Sequence, residues 1–160
     1  IQDRIVQHAT IAELNASSTN TIRMITLSDA SGEVSVIGAV LRIGVRNSEI
    51  DNTTGGGLVA PVDIESGVLG TARSRLRASE HQSHPDSGAP IAGLCVPFWR
   101  EAQNVVVRAH RLLPFPRTLG WDVAIAPDGP VLLEVNSDYY YNHLQLDGPT
   151  TATERLRGCR

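Results

Sequence analysis

No lysine occurs anywhere in the 160 residues; all 14 basic side chains are arginine. That excludes a P-loop lysine, a Schiff-base lysine and a lysine general base within the chain. Cysteine is nearly absent too. Cys95 lies between Leu94 and Val96, in what reads as an apolar setting, and Cys159 sits in a polar tail. A disulfide framework is therefore not expected, and a reducing cytoplasm suits the composition. The longest apolar stretch, Val34 to Ile43, is broken by Ser35 and Arg42, well short of the roughly 18 residues a membrane span needs. Excess positive charge is also missing: the net charge is −3 and the pI about 5.9. A broad electrostatic nucleic-acid footprint is excluded on that count. The chain opens Ile1-Gln2-Asp3-Arg4-Ile5, with no initiator methionine and a strand already under way. It reads as the C-terminal part of something longer, so the lack of a signal peptide excludes nothing.

What is present is one domain's worth of globular sequence, 41% hydrophobic and 19% charged, which argues against wholesale disorder. Ile11 and Leu14 are spaced for a short helix over Thr10 to Asn15, followed by a polar loop to Asn20. Thr21 to Leu27 is β-rich, Asp29-Ala-Ser-Gly32 is a hairpin turn, and Glu33 to Ile43 is the return strand. A glycine-rich loop, 47–57, leads into a short strand, Leu58 to Val62. Thr71 to Gly88 has few apolar residues and reads as an exposed excursion. Phe98 to Leu113 is the amphipathic helix, with Trp99, Ala102, Val105, Val106, Ala109 and Leu113 near a 3.6 period and Pro114 and Pro116 ending it. Strands 121–126 and 130–136 form a second hairpin, and the tail from Thr150 is polar. Hairpins with one or two helices give an α+β, largely antiparallel fold.

The second hairpin carries the chemistry. If Pro127-Asp128-Gly129 is a three-residue loop, Asp122 faces Glu134, Ala124 faces Leu132, and Asn136 shares the face of Glu134. The other face then gathers Val123, Ile125, Val131, Leu133 and Val135 for burial. Two carboxylates directly opposite each other repel unless something positive lies between them. Asp, Glu and Asn offer hard oxygens, suited to Mg²⁺ or Mn²⁺ rather than zinc. The same residues also fit a solvated hairpin with two incidental acids, or an acid paired to an arginine. Arg23 shares a strand face with Thr21 and Ile25, and a guanidinium there can clamp a phosphate or pair with an acid. Arg42 ends the next strand and is a second candidate. Asn52-Thr-Thr-Gly55-Gly56-Gly57 either lets backbone N–H groups approach an anion or is a flexible turn. His81 and His84 have zinc-like spacing but no companion ligand, so His84-Pro-Asp-Ser-Gly88 reads as a turn.

Asp122, Glu134 and Asn136 within Leu-Leu-Glu-Val-Asn resemble the metal-binding signature of the ATP-grasp superfamily. The chain is most similar to its sugar-transfer-associated and α-L-glutamate-ligase-like members. The resemblance runs through Gln7-His8, Asn20-Thr-Ile-Arg23, Asp51-Asn52, Pro61-Val62-Asp63, His84 to Gly88, Pro97-Phe-Trp99, Gly120-Trp-Asp122 and Gln145 to Pro149, in order. It implies that residues 1–149 are the C-terminal part of an ATP-grasp domain, with 150–160 a tail and the upstream half bringing the nucleotide-clamping lysines. It further implies ATP with Mg²⁺ or Mn²⁺ and a carboxylate–amine ligase passing through an acyl phosphate, its partners being a small carboxylate and an amine-type acceptor. Asp122, Glu134 and Asn136 then hold metal, and Arg23 and Arg42 face phosphate. Gln2 and Ile5 meet the adenine, and Asn52, Gly55 and Gly56 lie near the phosphates. Tyr139-Tyr-Tyr141 departs from the small residue, Pro and Gly common in that family. That departure implies either a reshaped acceptor pocket or a degenerate, non-catalytic module.

Overall fold

A computed structural model describes residues 5–45, 57–74, 79–113 and 116–137. The elements run α1 (Ala9–Ala12), β1 (Thr21–Ser28), β2 (Val34–Ile43), β3 (Leu58–Pro61), β4 (Ala72–Ser74), β5 (Glu80–His81), α2 (Trp99–Arg111), β6 (Thr118–Ala126) and β7 (Gly129–Asn136). The seven strands form one sheet in the order β5-β4-β3-β2-β1-β6-β7, antiparallel throughout. The fold is α+β, as the hairpin-rich sequence predicts.

One face of the sheet is the core. Ile22, Met24, Leu41, Ile43, Trp121 and Val123 pack there with α2 residues Trp99, Ala102 and Val106. The helix buries Trp99, Ala102, Val106 and His110, one stripe at helical spacing. Leu113, expected on that stripe, lies past the end of the helix and is 41% exposed. Val105 is only half-buried, and His110 takes the place expected of an apolar residue. Its Nε2 bonds the Pro116 carbonyl (2.9 Å), which can only accept, so Nε2 carries the proton and Nδ1 accepts from Thr26 Oγ1 (2.7 Å). Trp121 Nε1 donates to the same hydroxyl at 2.7 Å. The polar groups of this buried chain therefore all have partners, and it ties α2 to β1 and β6.

The turn before β2 behaves as its sequence predicts. Asp29 Oδ1 accepts from the backbone N–H groups of Ser31 and Glu33 and from the Ser31 hydroxyl, while Gly32 takes φ +82°. The Ser31 hydroxyl first, then the Glu33 N–H, hold the Asp29 carboxyl below its ordinary value. Residues 71–88 are less of an excursion than their composition suggests. They supply β4 and β5 at the sheet edge, and His84 is buried. The His84 ring bonds the Gly44 carbonyl through Nε2 (2.8 Å) and accepts from Asp86 and Ser87 N–H through Nδ1. That turn is structural, as read. Cys95 is exposed: alternation along a segment bridged to Val68 turns Val96 inward and Cys95 out.

Asn20 anchors the start of β1. Its amide donates to Gln7 Oε1, Ile11 O and Asn15 O, and its Oδ1 accepts from Gly44 N–H. Gln7 Nε2 in turn donates to Ser18 O at 2.6 Å. The approach is so close that a Cβ on Gly44 would lie 2.3 Å from Ser18 Oγ.

Candidate functional site

The site forms on the sheet face turned away from α2, and two β-bulges build it. In the β1–β2 hairpin, Ser28 pairs with Val34 and Thr26 with Val36, but Ile25 pairs with Gly38. Ile37 is the extra residue. Regular pairing from the turn would put Arg42 opposite Asn20, on the core side. The bulge moves it opposite Thr21 instead, and so onto the face of Arg23.

The β6–β7 hairpin repeats the device. Ala126 pairs with Gly129, so the connection is the two-residue Pro127-Asp128 rather than the three-residue loop read from the sequence. Ala124 faces Val131, not Leu132, and Val123 faces Leu132. Continued without interruption, this register would point Glu134 toward the core. Leu133 bulges out, and Asp122 pairs with Glu134 after all. The expected facing pair is present, reached through a turn and an irregularity that together restore the parity. The apolar set expected to bury on β7 does not. Val131 shares the charged face, Leu133 is the bulge, and Val131, Leu132, Leu133 and Val135 are each 37–43% exposed on this edge strand.

Asp122 is the centre of the site and is only 5% exposed. Arg23, opposite it on β1, donates from Nε to Oδ1 and from Nη2 to Oδ2 (2.9 Å), a two-pronged contact. Arg42 reaches across β1, placing Nη2 3.0 Å from Oδ2. Its Nε and Nη2 also donate to Thr21 Oγ1 at 3.0 and 2.6 Å. The arginine side chains are 18% and 16% exposed. Ile25, Val40 and Val59, which share this face by alternation or direct pairing, are buried. Two guanidiniums and one carboxylate thus sit together with reduced solvent screening. The cluster itself is net positive on a chain whose overall charge is negative.

Glu134 is exposed at the edge of this cluster, and Asn136, paired with Gly120, is half-buried on the same face. All three candidate metal ligands therefore line one face, and they are hard oxygen donors of the kind Mg²⁺ takes. A carboxylate has about four acceptor positions, and Asp122 uses two on Arg23 while pairing with Arg42 at 3.0 Å. The donor set fits a hard divalent cation, provided the arginines yield part of their hold. Among the described residues no group of three or more His, Cys, Asp or Glu side chains gathers for a metal; the set here depends on the Asn136 amide.

Ile5 is half-buried and, with Val6, Gln7, Ala12, Ala16, Ser18 and Thr19, lines a cavity of about 300 Å³. His8 N–H donates to Ile125 O (2.7 Å), which sets this segment beside β6 just beyond the start of β1. Gln2, Asn52, Gly55, Gly56 and Tyr139 to Tyr141 lie outside the described residues. Sequence reasoning placed Thr21 on the face of Arg23 without giving it a role. Its role as the acceptor for Arg42 depends on the Ile37 bulge, which no turn signal announces.

A family model described as sugar-transfer associated ATP-grasp matches residues 1–159. Among curated proteins, none matches the chain. In the described residues no helix is long and apolar enough to cross a membrane.

Proposed function

The chain belongs to the sugar-transfer associated ATP-grasp family, and from that premise we propose that it forms the metal and phosphate face of an ATP-dependent carboxylate–amine ligase. ATP-grasp proteins are generally ligases that use ATP. The finer reading rests on one observation: Asp122, Glu134 and Asn136 share a sheet face with Arg23 and Arg42. Asp122, Glu134 and Asn136 would hold Mg²⁺ or Mn²⁺, and the bound ion would supply charge neutralisation to the nucleotide phosphates. Arg23 and Arg42 supply fixed positive charge to the transferring phosphoryl group, where positioning and electrostatics do most of the catalysis. A substrate carboxylate oxygen attacks the γ-phosphorus, the bond to the β–γ bridging oxygen breaks, and ADP leaves. An amine then attacks the acyl carbon, inorganic phosphate departs with the C–O electrons, and the amine loses a proton. The family resemblance assigns the adenine to Ile5, which lines the cavity, and to Gln2, and the phosphates to Asn52, Gly55 and Gly56.

The test is thermal unfolding with ATP, with Mg²⁺ and with both. A ligand at 100 times its Kd stabilises by about 2.7 kcal/mol, which for a chain of this size is a rise of roughly 5–11 °C. We expect it with both together. No rise under any condition refutes a nucleotide site in these residues. A second reading, a degenerate module that binds nucleotide or a partner without turnover, is favoured by the arginines' full engagement of Asp122. ADP release in the presence of carboxylate and amine acceptors separates the two.

A further inference from the structure

We propose that Arg23 and Arg42 hold the Asp122 carboxylate until metal and polyphosphate arrive together, and that this exchange of partners makes each ligand's binding depend on the other. The inference rests on the reading of this face as the metal and phosphate site.

Both oxygens of Asp122 accept hydrogen bonds from Arg23, and Arg42 Nη2 forms an ion pair with Oδ2 at 3.0 Å. A divalent cation approaching alone must displace some of those hydrogen bonds. It also stands beside two positive groups, among buried apolar neighbours that leave little water to screen the repulsion. A polyphosphate approaching alone meets the opposite obstacle. The arginines it needs already carry a fixed anion, and drawing them off leaves Asp122 buried without a counter-charge, a costly state.

When both arrive, every charge is re-partnered at once: carboxylate with metal, guanidiniums with phosphate. Thr21 fits this exchange. Its hydroxyl holds Arg42 through both Nε and Nη2, so the guanidinium keeps its place on the sheet when Asp122 lets go. Thr21 is a positioning residue in this scheme. Coupling between sites typically falls in the range of about 5–150-fold, and the mutual exclusion of like charges here puts the expectation at fivefold or more.

Each half of the exchange is measured without mixing metal and nucleotide. Mn²⁺ titrated alone into the full chain, followed by electron paramagnetic resonance, should bind at least fivefold tighter to Arg42→Gln than to the unmutated chain. Metal-free tripolyphosphate, followed by calorimetry, should bind at least fivefold tighter to Asp122→Asn. Unchanged or weaker binding in either case overturns the exchange. A third measurement needs no variant that must fold. The ¹⁵Nε–Hε signals of Arg23 and Arg42 in the unmutated chain should hold still with Mg²⁺ alone or tripolyphosphate alone and move with MgATP. Movement with Mg²⁺ alone, or MgATP binding that leaves both signals in place, overturns the exchange while the ligase reading stands. No binding of any probe overturns both.

Discussion

Replacing Asp122 by asparagine keeps the shape of the side chain and removes its charge. The arginines that converge on it are 18% and 16% exposed, so they cannot turn fully to water. Removing one partner of a buried charge cluster typically costs about 3–5 kcal/mol, because the remaining charge is left without compensation. Partial exposure of both guanidiniums and the one oxygen that asparagine retains place the expectation near the lower end, about 3 kcal/mol. For a chain of 160 residues that corresponds to a fall in melting temperature of roughly 6–12 °C. Circular dichroism melts and urea titrations of both proteins measure it directly. Pairing Asp122→Asn with Arg42→Gln in a double-mutant cycle should give a coupling of about 1–3 kcal/mol. If Asp122→Asn costs less than about 0.5 kcal/mol, the level of an exposed surface pair, then the cluster is not the desolvated centre of this face.

Gly67 has φ +75°, and a Cβ there would stand 2.5 Å from Trp99 Cγ; with the left-handed penalty added to the overpacking of a buried indole, Gly67→Ala should cost about 2–4 kcal/mol by urea titration. A cost under 1 kcal/mol would mean that Trp99 yields easily. Thr26→Val strips the hydroxyl that joins Trp121 to His110 and should cost about 1–3 kcal/mol for the buried partners left behind, with the Trp121 indole N–H signal shifting in a proton spectrum. The Asp29 carboxyl is held below its ordinary value of 3.8, so it contributes stability above that value which is lost as pH falls through the lower folded value. The stability gap between the chain and Asp29→Asn should therefore shrink on acidification; a gap that is flat from neutral to acid pH would contradict the assignment.

The legible part of the fold was local. Asp29 to Gly32 spells a turn, and the spacing of Trp99, Ala102 and Val106 spells a helix face; the bonds formed there depend on neighbours in the chain. His110 broke that stripe because its second ring nitrogen is satisfied by Thr26, 84 residues away, while the first bonds the nearby Pro116 carbonyl. β4 and β5 were invisible because two- and three-residue strands carry too little pattern of their own and exist by pairing to an edge already in place.

The site divides in the same way. Residue types alone limited which chemistry was on offer: hard oxygens at Asp122, Glu134 and Asn136, arginine as the only strong cation, and a hairpin to carry them. Which side of the sheet each charge occupies depends instead on how the strands pair. Strand side chains alternate with period two, so a single extra residue reverses every later assignment. The bulges at Ile37 and Leu133 are two such residues. They form because packing across β1, β2, β6 and β7 fixes the register from both ends of each hairpin, and that constraint is absent from any one strand. Arg42 and Glu134 stand on the face of Asp122 because the sheet as a whole closes that way.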